Sequence, residues 1–450
     1  MTHLPLRAHN GPHIGTARTV LVAALLAALA GGSLLWPSGP GVGALFGQQA
    51  PARGGKLCIA SDFPTTGGLA GEGKPAQNAV QLAVLQNLNL GAGYTLSFVG
   101  YDDASESLDS DLERGAHNVA DMVHIPCIMG MVGPFYSVVA PPEMAVAAPA
   151  GLAMISPSTT NPGLTLRQYV GPAGYLFSGY SFDQVHPPGK KISFFRIAPN
   201  DVLQGKADAD FTIGPLPAGL NATRAYVVKD PLEDYADEVA SGFSAEFLAQ
   251  GGAILGTESI PLDSGGNVQP AGLSRLAARI VGTRPQAVFY AGDTPDSAVL
   301  LKAQLAEAGY LGPFVGDDGI ALDPDFPGLV SQLAGGTFAT IPAPDLSMVT
   351  TGAAKLFILY YHGWYPNQDP DGFSANAYDA AMILITAIKN LIRAGTAVTR
   401  EAVIDQVQHI RYAGLTGQIA FDKYGDNSLA ALSLYTVKDG KWVVVRQLRA

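Results

Sequence analysis

Two clusters of small polar residues, each directly downstream of an apolar run, give this sequence the means to hold a charged small molecule. GPFYS (133–137) follows CIMGMVG, and SPSTTNPGLT (156–165) overlaps the end of LAMIS. Hydroxyls and unpaired backbone N–H groups in such places are donors suited to a carboxylate, and a helix N-terminus adds a positive partial charge. The same residue types also make ordinary caps and turns. Ser137 stands where a helix N-cap belongs, and both readings are open at this level. A third cluster, Asp317–Asp318–Gly319, follows PFVG. A carboxylate at that point suits an ammonium group; the plainer reading is a solvated loop pair.

Catalytic constellations fare worse. GLAGEGK (68–74) has the glycine and lysine spacing of a phosphate-binding loop, but the next residue is Pro75. The hydroxyl that would ligate Mg²⁺ is therefore missing, and proline there reads better as the first residue of a helix. No G-x-S-x-G elbow occurs. The eight histidines have no metal-ligand spacing, and His117 and His124, seven apart, read as surface or packing residues. Asp102 and Asp103 are adjacent, so their side chains diverge and do not form an acid pair. Neither a cofactor nor a metal nor an enzymatic activity is expected.

The elements that must position the three clusters follow an alternating pattern. Strand-length apolar runs LCIASDF, TLSFVGY, CIMGMVG and LAMIS alternate with helical stretches between Leu57 and Ser156. The pattern repeats with ISFFRI, RAYVVKD, AILGTESI, QAVFYAG and PFVGDD, followed by a long helix (373–395) and two final strands, SLYTV and WVVV. Such alternation means βαβ units and parallel sheets covered on both faces. Two doubly wound α/β sheets in succession are predicted. Open parallel sheets bind ligands beyond the carboxyl ends of their strands, which is where all three polar clusters fall.

With 450 residues, 48% of them hydrophobic, the chain is long enough for two lobes. The net charge of −11 and the lack of a clustered Lys/Arg stripe argue against nucleic acid. Residues 1–36 contain Arg7, Arg18 and the apolar run TVLVAALLAALAGGSLLW, the pattern of a signal peptide or N-terminal anchor. Residues 37–55 read as a flexible linker. The folded part is expected from Lys56, in an exported, periplasmic or cell-surface protein.

The motifs TTGGLAGEGKPAQNAVQLAV, YDDA, MVGPFYS, GLAMISPSTTNPGLT, FFRIAPNDVLQG and GYLGPFVGDDG occur in that order. Together they resemble the extracellular ligand-binding receptor family, type I periplasmic binding proteins that include the leucine/isoleucine/valine-binding proteins of ABC importers. The resemblance covers roughly 56–445. It implies that Ser137, Ser158 and Thr160 bind a carboxylate, that Asp318 holds an α-ammonium, and that Tyr235, Phe135 and Phe373 lie near the ligand. It also implies lobes joined by a hinge of three crossings, near Pro199, Ile341 and Gly417. Residues 56–199 with 341–416 would form the first lobe, and 200–340 with 417–450 the second.

Two departures stand out. Glu72 replaces a frequent aromatic, and Asp293 replaces a tyrosine of leucine-binding members. With Asp318 these would make a pocket rich in carboxylates, suited to a ligand more polar or more cationic than leucine. The sequence has two cysteines, Cys58 and Cys127, which read either as buried thiols or as a disulfide. The family fold sets their strands side by side, each cysteine six residues before the strand-end landmarks Pro64 and Gly133. The resemblance implies a monomer that captures an amino-acid-like molecule by hinge closure and delivers it to the membrane permease of an ABC importer. A ligand-sensing module working with a separate signalling partner is the alternative.

Overall fold

Six strands build the first sheet: β1 (Gly55–Phe63), β2 (Asn89–Gly91), β3 (Tyr94–Asp102), β4 (Ile128–Val132), β5 (Ala153–Ser156) and β6 (Phe194–Arg196). Their order is β2-β3-β1-β4-β5-β6, parallel except for the short edge strand β2. The second sheet uses β7 (Arg224–Lys229), β8 (Ala253–Ser259), β9 (Ala287–Ala291), β10 (Phe314–Gly316) and β11 (Thr337–Ile341). β12 (Arg411–Ala413) and β13 (Gln418–Ala420) pair only with each other, and β14 (Ala431–Lys438) and β15 (Lys441–Arg449) complete the second sheet. Its order is β15-β14-β11-β10-β9-β7-β8, with β14 and β15 antiparallel. This computed structural model describes residues 54–449 except 106, 107, 109, 172–175, 177, 178, 233, 234, 293, 324 and 334. Residues 1–36, nearly all of the 37–55 linker and Asp293 lie outside the described residues.

Both sheets are covered on both faces, as parallel sheets must be. On one face of the first sheet Ile59, Val132 and Ile155 pack with apolar residues of the helices Ala70–Leu85, Gly352–Trp364, Gly372–Ala394 and Arg400–Gln408. On the other, Cys58, Ala60 and Met131 pack with Val119 and Met122 of Leu112–His124 and Met144 of Ala140–Ala147. The second sheet is enclosed in the same way by Pro270–Gly282 and Pro295–Glu307 on one face and Asp201–Ile213 and Tyr235–Ala249 on the other. The long helix Gly372–Ala394 has local reasons for its ends. Asp371 and Ser374 form a capping box at its start, and Gly395 ends it in the left-handed region at φ 68°.

The chain passes between the lobes three times. It leaves β6 through Ile197, and Asn200 caps the first helix of the second lobe. Ile341, the last residue of β11, packs against the cores of both lobes. The third passage lies later than the Gly417 expected from the family. Ile419 and Phe421 are buried in the first lobe's core, Asp426 pairs with Arg196 of β6, and the second sheet resumes only at Ala431. Burial of those two apolar residues holds 417–427 on the first lobe. The helix expected to begin at Pro75 begins at Ala70 instead, with Pro75 inside it.

Cys58 on β1 and Cys127, just before β4, have Cα atoms 5.0 Å apart and are joined by a disulfide. Asp102 and Asp103 diverge as adjacent strand-end residues should: Asp102 accepts from Thr65 N and the Thr66 hydroxyl, whereas Asp103 is buried. The described parts of 171–191 cover the first lobe, where Leu176 and Val185 join the core beside Phe194.

Candidate ligand-binding site

The exits of β4 and β5 are built as one unit. Gly133 leaves β4 at φ 134°, and a Cβ there would lie 2.5 Å from the Asp62 carbonyl oxygen, so only glycine fits. The turn lets Phe135, Tyr136 and Ser137 run along the end of the sheet. Ser137 does not cap the following helix, whose N-cap is Val139. Its hydroxyl oxygen instead accepts from the backbone N–H groups of Thr160 (3.2 Å) and Asn161 (3.3 Å). Bridging two loops satisfies two buried amides at once, and the hydroxyl keeps its own proton to donate.

The second loop is pinned from below. Ser156 Oγ donates to the Pro134 carbonyl at 2.9 Å and accepts from Ser158 N and Thr159 N. Ser158 Oγ donates to the Phe135 carbonyl at 2.6 Å. The Ser158 hydroxyl therefore holds the loops together, which leaves that residue its surface along the cavity. Arg196, fully buried, donates to the Asn161 carbonyl and the Thr165 hydroxyl while paired with Asp426, all at 2.7 Å. The Thr160 carbonyl accepts from Asp201 N, tying the loop to the start of the second lobe.

From the second lobe, β10 ends in two aspartates with different tasks, so the solvated-pair reading does not hold. Asp317 turns inward, where it accepts from Gly292 N and Gly319 N and lies 3.5 Å from the Tyr235 hydroxyl. Asp318 faces a cavity and accepts from Gln204 Nε2 at 2.8 Å. Burial pushes its carboxyl up to about 6; the Gln204 bond pulls it part of the way back, and the charge of Glu72 pushes it up again.

These groups surround one cavity of about 330 Å³, a volume that suits a small molecule. Ser137, Ser158, Thr160, Phe135, Phe373 and Glu72 line it from the first lobe, and Tyr235 and Asp318 from the second. Every site residue expected from the sequence, Asp293 apart, thus lies on one cavity. Glu72 stands in the first turn of Ala70–Leu85 and does not turn away to solvent. Its Oε2 accepts from the Tyr136 hydroxyl at 2.6 Å. Burial raises its carboxyl, the Tyr136 bond opposes that rise, and nearby Asp371 adds to it. Phe135 packs edge-on against Phe373 at 5.6 Å, forming an apolar wall. Sequence reasoning missed Tyr136, Asn161, Leu232 and Leu322 on the lining and Gln204 behind Asp318. The first two sit inside the motifs already singled out; an exposed leucine such as Leu232 carries no sequence signal.

The arrangement puts the Ser137 hydroxyl on one side, with the Glu72 carboxylate on the same lobe, and the Asp318 carboxylate on the other, groups that complement a ligand bearing both a carboxylate and an ammonium. A family model described as periplasmic binding protein matches residues 59–441. The Leu/Ile/Val-binding protein BraC3 of Rhizobium johnstonii is 25% identical over 406 residues, covering 88% of this chain and 95% of that protein. The leucine-, isoleucine-, valine-, threonine- and alanine-binding protein of Pseudomonas aeruginosa is 24% identical, covering 82% and 86%. Among solved structures, the branched-chain amino acid transporter substrate binding protein LivJ of Streptococcus pneumoniae, in complex with isoleucine, shares the fold with a TM-score of 0.63. It is 24% identical, with 88% of this chain and 100% of that chain covered. A solute binding protein from R. palustris in complex with benzoate also shares it, with a TM-score of 0.61, 19% identity, and 87% and 96% covered.

Proposed function

The chain belongs to the periplasmic binding protein family, and from that premise we propose that it is an exported, non-enzymatic solute-binding protein that captures an amino acid between its lobes. The Ser137 hydroxyl, held in place by the Thr160 and Asn161 amides, donates to the carboxylate, and Asp318 takes the α-ammonium. Phe135 and Phe373 pack against the carbon skeleton. The observation that carries this reading is the placement of a donor cradle and a carboxylate on opposite lobes of one cavity.

Hinge closure gives the binding its strength. A ligand gripped by one lobe brings its ammonium toward the other, and expelling water strengthens both ionic contacts. The closed surface is then presented to the membrane permease of an ABC importer. A thermal-shift screen against amino acids, amides, urea and aromatic acids tests the reading, because a ligand bound only by the folded state raises the melting temperature. An amino acid among the hits is expected. Hits confined to acids without an amino group would sink the role given to Asp318.

A further inference from the structure

The lining of the cavity is unbalanced in charge. Among the described residues it includes two carboxylates, Glu72 and Asp318, and no lysine, arginine or histidine. Behind it, the charge of Asp371 pushes the Glu72 carboxyl up further. The buried Arg196 is engaged by Asp426, Asn161 and Thr165 and does not line the cavity. A zwitterionic amino acid brings one carboxylate and one ammonium. Its carboxylate is met by donors and its ammonium by Asp318, which leaves Glu72 without a counter-charge as the cleft closes. An unpaired carboxylate in a dehydrated site is costly.

Glu72 is also held in position. The Tyr136 hydroxyl fixes its Oε2, and its helix is clamped by Tyr361, whose hydroxyl donates to the Pro75 carbonyl. Four aromatic residues, Phe135, Tyr136, Tyr235 and Phe373, line the same cavity. Aromatic faces and a carboxylate together form a site for a cation.

Resting on the amino-acid reading above, we infer that the ligand carries a second cation, so that it is an α-amino acid with a basic side chain whose terminal group is held by Glu72. Glu72 is the residue that selects against leucine-like ligands, which offer nothing to its charge. The basic side chain lies along the Phe135–Phe373 wall, and its charge ends between Glu72 and the ring of Tyr136.

Calorimetric titration of the purified protein with L-lysine, L-arginine and L-leucine at pH 7.5 tests this, beside the Glu72→Gln variant. The expected result is that lysine or arginine binds at least tenfold tighter than leucine. In Glu72→Gln that ligand weakens at least tenfold while leucine binds more tightly than it does to the parent. Should the variant fail to fold, the unmodified protein still decides through the tenfold preference for a basic amino acid over leucine. Leucine binding as tightly as, or more tightly than, both basic amino acids overturns the inference and leaves the amino-acid reading standing. No binding of any of the three, with benzoate bound instead, overturns both.

Discussion

Arg196 is the residue on which the anion cradle hangs, and replacing it has a calculable effect. Its side chain is fully buried and Asp426 is 12% exposed in its side chain, with a separation of 2.7 Å. Arg196→Met leaves the Asp426 carboxylate in place without its counter-charge, beside the neutral Asn200 amide and Thr165 hydroxyl. Removing one member of such a pair costs about 3–5 kcal/mol. Removing both members, in Arg196→Met/Asp426→Leu, takes away the stranded charge, and most of that loss should return. Ligand affinity should behave differently. Both variants lose the bonds that hold Asn161 and Thr165, so both should bind at least tenfold more weakly than the parent. Urea denaturation followed by circular dichroism, with titration of the best ligand, measures both quantities. The reasoning is refuted if Arg196→Met costs less than about 1 kcal/mol, or if the double variant is no more stable than the single one.

Cys58→Ala/Cys127→Ala opens a link between residues 69 apart in sequence, and loop-closure entropy puts the loss near 4 kcal/mol in chemical denaturation; an unchanged midpoint would contradict this. Folded stability without ligand should rise as pH falls from about 8 toward 5, because burial pushes Asp201 up to about 8 and Asp103 up to about 7 and raises Asp62, Glu143 and Asp208. The native state then holds more protons than the unfolded chain over that window, so raising pH favours unfolding. A melting temperature that climbs with pH there would be the wrong sign. Binding should run the other way: Asp318 must be ionised to meet an ammonium, so affinity for amino acids should fall by up to about tenfold per pH unit below about 6 and level off above it. Asp318→Asn should remove that dependence and weaken binding at least tenfold by calorimetry.

The sequence made the two sheets legible because their strands are long apolar runs beside helices, as in β1 and β9. It was silent on β2, β12 and β13, three-residue strands with no periodicity to read. The cradle was legible as residue types but not as geometry. Ser137 reads as a helix cap, and only the folded chain turns its hydroxyl to the amides of Thr160 and Asn161. Arg196 looked like an ordinary strand residue, because the carboxylate that makes its burial tolerable lies 230 residues away. Between Asp317 and Asp318 nothing local distinguishes the inward structural acid from the one facing the cavity; that depends on Gly292 and Gln204, supplied by other elements. The third passage escaped for the same reason, since the pull of Ile419 and Phe421 into the first core is a property of packing.

A crystal structure of the protein grown with its best-binding amino acid would address the cleft itself. The expected density is one molecule with its carboxylate within about 3 Å of Ser137 Oγ and its ammonium within about 3 Å of an Asp318 oxygen. A saturating ligand seated elsewhere, or lying in the cavity with its ammonium turned away from Asp318, would contradict the account.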